Sequence, residues 1–140
     1  MGILDRLASK RGSQETSESR GYVEAMIMMI AADGVIEDEE VQDFLRNVYT
    51  RPQLSKVPQA EMLSMIRRSL QAIESEGIDA RITAVATMLP SMDQKIEAMR
   101  MCLSICASDG DIAPAELEIL KKMQAAFDMS EAQVERLLNE

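Results

Sequence analysis

Two short stretches of this chain carry the same arrangement of chemically capable side chains. Asp33-Gly34-Val35-Ile36-Glu37-Asp38-Glu39-Glu40 and Asp109-Gly110-Asp111-Ile112-Ala113-Pro114-Ala115-Glu116 both read D-G-x-I-x-x-x-E. Carboxylate oxygens are hard donors, so the chemistry on offer is capture of a hard divalent cation such as Ca2+ or Mg2+, or attraction of a basic surface. The second half of an EF-hand loop has this same pattern, but a full EF-hand also needs oxygen ligands at its first and third positions. Those positions fall on Met29 and Ala31 in the first copy and on Ile105 and Ala107 in the second, so neither loop is an EF-hand. One loop alone offers too few oxygens. Two loops brought together offer Asp33, Glu40, Asp109, Asp111 and Glu116 as a metal-ligand set.

The same residues also have a reading in folding alone. Pro114 suits the first position of a helix, which makes Ala113 the N-cap and Glu116 the third helical residue, placed to reach back to the N-cap amide. Ile112 and Leu117 then stand where a hydrophobic staple has its two members, and Ile36 with Val41 in the first copy. Gly34 and Gly110 supply the left-handed residue that ends the preceding helix. The two aspartates fit this scheme least well. Asp33 and Asp109 sit at the C-terminal ends of helices, where a carboxylate meets the negative end of the dipole at a cost of roughly 0.3–1 kcal/mol. Compensation comes either from the amides of the next helix or from a bound cation.

Ten of the 24 acidic residues lie in two stretches, 33–43 and 109–118, neither of which contains Lys or Arg. With a net charge of −9, a basic nucleic-acid-binding face is not expected, and cations or basic protein surfaces are the natural partners. The chain has no histidine, which excludes Ser/His and Cys/His catalysis and His-ligated zinc. A protein that is not an enzyme is expected; an enzyme would need a deep pocket with a carboxylate pair of split pKa. Cys102 and Cys106 fall on one helix face, and no disulfide is expected there. No apolar run is long enough to span a membrane and no export signal stands at the start, so a cytoplasmic location is expected.

The elements that must hold the two loops are all helical. Ala, Met, Leu, Glu, Gln and Arg dominate, and alternating β-branched runs do not occur. Ile3, Leu4 and Leu7 give a short amphipathic start, and the polar stretch Lys10 to Arg20 reads as a mobile linker. Residues 1–20 are thus expected to precede a single domain over 21–140. Tyr22 to Ala32 is apolar nearly all round, broken by Glu24, the pattern of a buried helix. Val41, Phe44, Leu45 and Val48 mark a one-faced helix stopped at Arg51-Pro52. Pro58 is placed at the first position of a helix whose inner face is Met62, Ile66, Leu70 and Ile73 and whose end is capped by Gly77. Ile82, Val85 and Leu89 follow, ended by Pro90. Ser91-x-x-Gln94 opens a second buried helix, and Ser130-x-x-Gln133 caps the last one. With only two Phe, two Tyr and no Trp among 140 residues, the twelve Met residues are read as core filler. The expected fold is a single all-α bundle of seven to eight helices with an internal pseudo-twofold repeat.

At Ala31-Ala32-Asp33-Gly34 through Glu40, and again at Ala107-Ser108-Asp109-Gly110 through Glu116, the chain resembles the TerB tellurite-resistance family and the wider TerB-like domain found in some membrane-anchored J-domain co-chaperones. The resemblance implies a pseudo-twofold helical bundle with an acidic, divalent-cation-binding surface, and it carries the family's acidic positions onto Asp33, Glu40, Asp109 and Glu116. It also implies a stress-response adaptor that works with other tellurite-resistance proteins at the inner membrane. The first copy is richer in acid than the second, where Ala113-Pro114-Ala115 replaces Glu37-Asp38-Glu39. The alternative is a generic helical interaction module whose acidic loops are structural and bind no metal.

Overall fold

The computed structural model describes the backbone of residues 3–34, 36–107 and 112–140, and the side chains of 17–32, 34, 36–106 and 112–140. The described residues form seven α-helices and one 3-10 turn, with no strand among them: α1 (Ile3–Ile30), a turn over Ala31–Asp33, α2 (Asp38–Val48), α3 (Gln59–Glu76), α4 (Ile78–Met88), α5 (Met92–Ala107), α6 (Pro114–Ala126) and α7 (Glu131–Leu138). The fold class is therefore all-helical, as expected.

The second half of α1 is the axis of the bundle. Residues 21–29 are buried without exception, which an amphipathic helix could not tolerate but this apolar run can. It packs along α3, α4 and α5, and α5 in turn meets α6 and α7. Methionine fills much of the space: Met26, Met28, Met29, Met62, Met65, Met99, Met101 and Met123 are all buried. Their unbranched side chains adapt to gaps that a chain so poor in aromatics cannot fill otherwise.

The polar stretch from Lys10 to Arg20 is helical along its backbone, a correction to its reading as a linker. Once 21–29 is fixed as helix by burial, extension towards the N-terminus avoids the cost of nucleation. Side chains one turn apart support it: the Tyr22 hydroxyl donates to Glu18 Oε1 at 3.2 Å, and Arg20 pairs with Glu24. The side chains of Ile3, Leu4 and Leu7 lie outside the described residues.

Helix ends follow the local signals closely. Ser91 and Gln94 form a reciprocal capping box, with both bonds at 3.1 Å, and Ser130 and Gln133 form another. Pro58 stands one residue earlier than expected: it is the N-cap of α3, with extended ψ, and its carbonyl accepts the first helical bond from Met62 N at 2.9 Å. Gly77 serves two helices at once. At φ 88° its N–H closes α3 on the Ile73 carbonyl, and its own carbonyl accepts from Arg81 N to open α4. Where α1 enters the bundle, Gly21 lies so close to the end of α4 that a Cβ would fall 2.8 Å from Leu89 Cγ.

Candidate functional site: an acidic groove between two helix–loop–helix units

Each D-G-x-I-x-x-x-E stretch joins a buried helix to a shorter one, α1 to α2 and α5 to α6. The 3-10 turn that starts the first stretch packs against α6, the helix that ends the second. The two units therefore meet, and a cavity of about 640 Å3 lies where they do. Its floor is Met26 and Met29 of α1 with Phe44 and Val48 of α2. Its rim carries Glu40, Asp43 and Glu116, with Arg51 at the exit of α2. Arg51 Nη2 donates to Ser104 Oγ, tying the end of α2 across to α5.

The closing glutamates have the capping role that their spacing predicts. Glu40 Oε1 accepts from the Glu37 amide at 3.2 Å, and Glu116 Oε1 accepts from the Ala113 amide at 2.9 Å. Each bond satisfies one of the amides a helix start leaves without an intrahelical partner. Pro114 occupies the first helical position, as its ring requires. Gly34 is left-handed at φ 92°, and its N–H bonds the Ala31 carbonyl at 2.8 Å, ending the turn. Ile36 packs against the core, whereas Ile112 and Leu117 stay exposed.

Of the five candidate ligands, the structure brings Glu40 and Glu116 to one groove. The Asp33 side chain, and Asp109 and Asp111 entirely, lie outside the described residues, as does Gly110. Among the described residues no group of three or more His, Cys, Asp or Glu is placed to hold a metal.

A second polar cluster, deeper than the first, was marked in the sequence by no more than a charged residue in an apolar helix. Glu24 is fully buried in α1. Its carboxylate accepts from Arg81 Nε at 2.6 Å and from Arg81 Nη2 at 2.9 Å, a two-pronged pair. Arg20 adds a bond from Nε at 3.1 Å and also reaches Ser69 Oγ on α3. Arg81 extends further to Glu76 at 3.2 Å. The hydrogen bonds from Arg81 to Glu24 hold its guanidinium proton more firmly than usual, with the Glu24 and Glu76 charges acting in the same direction. The cluster therefore clamps α1, α3 and α4 together.

The two cysteines are buried in α5, and neither is in a disulfide. Burial, reinforced by the neighbouring Cys106, pushes the Cys102 thiol well above the usual range, so it stays protonated and unreactive. Its Sγ contacts Met123 Sδ at 3.9 Å.

This arrangement defines a class: an acidic, all-helical bundle built around two helix–loop–helix units that share a groove. The family model described as tellurite resistance protein TerB matches residues 21–139, and the chain belongs to that family. Neither the curated proteins nor the solved structures gave a match.

Proposed function

We propose that this TerB-family protein is a non-enzymatic adaptor of a stress-response complex and that its acidic loops bind a divalent cation, Ca2+ or Mg2+. The observation that carries the reading is the arrival of both motif-closing glutamates, from units far apart in the chain, at one groove. Carboxylate oxygens suit a hard cation, and Glu40 and Glu116 would hold it with Asp33, Asp109 and Asp111. Such an ion would cross-link the two units and offset the repulsion between their charges. The partners proposed are other tellurite-resistance proteins at the inner membrane. Among the described residues no helix is long and apolar enough to cross a membrane.

A titration with CaCl2 or MgCl2 tests the cation. At a hundredfold excess over Kd a single site stabilises the fold by about 2.7 kcal/mol, which a thermal melt reads easily. An unchanged melting temperature up to millimolar metal would sink it.

The capping bonds favour a second reading, in which the glutamates are structural and the protein is a plain interaction module without metal. There, Asp33→Asn with Asp109→Asn leaves partner binding intact.

A further inference from the structure

The groove has more shape than cation binding needs. Its volume of about 640 Å3 lies within the range of sites that bury organic groups, and its floor is apolar. Met26, Met29, Phe44 and Val48 form that floor; each is 4% exposed or less, so an occupant reaches them only as methionine, the side chain best able to repack around varied shapes, yields to it. One wall, at the start of α6, is the small pair Ala113 and Ala115, which leaves room for an incoming side chain. The opposite wall, α2, is held to the core through the buried Phe44 and Val48 and the half-buried Leu45, and the chain just after it is tied to α5 by the Arg51–Ser104 bond.

The charge around the groove is predominantly negative. Glu40, Asp43 and Glu116 line it, and Glu37, Asp38 and Glu39 are exposed on the first turn of α2. Against these stand Arg51, which keeps its charge while donating to the neutral Ser104 hydroxyl, and Arg46, 3.5 Å from Asp43, so the rim is net acidic. A second copy of this chain, also carrying −9, is a poor occupant for such a rim. An apolar floor below an acidic rim is complementary to a helix with one apolar face flanked by Lys or Arg.

We infer that the groove is the docking site for a basic amphipathic helix of a partner protein, its apolar side chains on the methionine floor and its cations against Glu40, Asp43 and Glu116. The inference rests on the adaptor reading and names the chemistry of the partner. It does not depend on the cation.

The test uses the full chain with isotope-labelled Met methyls and a synthetic Leu/Lys peptide of about 15 residues, patterned to put Leu on one helical face. The same peptide with Glu in place of Lys is the control. With EDTA present, the Lys peptide is expected to shift the Met26 and Met29 methyl signals at micromolar concentration, and to bind several-fold more weakly as salt rises from about 0.05 to 0.2 M. Ala115→Arg, which fills the wall, and Asp43→Lys, which reverses an exposed rim charge, should each weaken binding at least tenfold without altering the fold by circular dichroism. Unmoved Met26 and Met29 signals, equal binding of the Glu peptide, or full binding by both variants would overturn the proposal. So would the same methyl shifts on raising protein concentration alone, since a second copy would then be the occupant. A melting response to Ca2+ without peptide binding removes the groove proposal and leaves the cation reading. Specific binding of a tellurite-resistance protein that leaves the two methyls unmoved preserves the adaptor and removes the groove.

Discussion

Replacing Arg81 by Met removes the clamp on a carboxylate that has nowhere to go. Glu24 is fully buried, and Arg81 supplies two of its short charged hydrogen bonds, at 2.6 and 2.9 Å. A hydrogen bond to a charged group contributes about 1.5–3 kcal/mol, so losing two removes roughly 3–6 kcal/mol before relaxation. Arg20 stays as a partner at about 3 Å and takes up part of the lost bonding, while methionine costs about as much side-chain entropy to order as arginine, so that side of the balance is unchanged. The expected net loss is about 3 kcal/mol, at the low end for breaking a buried ion pair. In a chain of 140 residues this lowers the melting temperature by roughly 10 °C. Urea unfolding of Arg81→Met, Glu24→Met and the double variant gives the coupling energy directly. Glu24→Met with Arg81→Met should be no less stable than Arg81→Met alone, because the orphaned carboxylate has gone with its partner. A cost below about 1 kcal/mol for Arg81→Met, or strict additivity in the double variant, would refute the clamp.

Other outcomes follow from the same geometry. Gly21→Ala places a Cβ 2.8 Å from Leu89 Cγ and 3.2 Å from Met88 Cβ, with Leu89 fully buried. Overpacking of about 1–3 kcal/mol then outweighs the helix-propensity benefit of up to ~1 kcal/mol, so thermal melts should show net destabilisation, and a more stable variant would contradict the packing. Cys102 should resist iodoacetamide in the folded protein and react once urea unfolds it; rapid native labelling would contradict its burial. The hydrogen bonds from Arg100 hold the Glu140 carboxyl below the usual carboxylate range. That tie is present above an ordinary carboxylate pKa of about 4.3 and is lost as pH falls through the lowered value, so amide exchange at the end of α7 should rise there and not near neutrality. Glu116→Ala removes the bond to the Ala113 amide and should cost about 1 kcal/mol in urea unfolding.

What the sequence made legible was what is encoded locally. Ser91, Gln94, Ser130, Gln133, Glu40 and Glu116 signal caps through partners three residues away, and each makes the expected bond. The apolar run after Gly21 signals a buried helix because no face of it is polar. Glu24 with Arg81 was not legible, since the partners are 57 positions apart and no local pattern joins them. The polar residues before Gly21 read as linker because composition does not register a helix propagating out of a buried segment. That Glu40 and Glu116 line one groove could be anticipated from the repeated motif. The shared methionine floor could not, because it depends on how α1 and α2 pack.

The most direct test of the central claim is a thermal melt of the wild-type chain and of the Asp33→Asn, Asp109→Asn double variant, each with EDTA and with CaCl2 or MgCl2 stepped to 10 millimolar or so. A saturable rise in the wild-type melting temperature, absent from the double variant, is the predicted result. A wild-type melting temperature that does not move across the titration, or a double variant that rises as the wild type does, would contradict a cation held by the repeated aspartates.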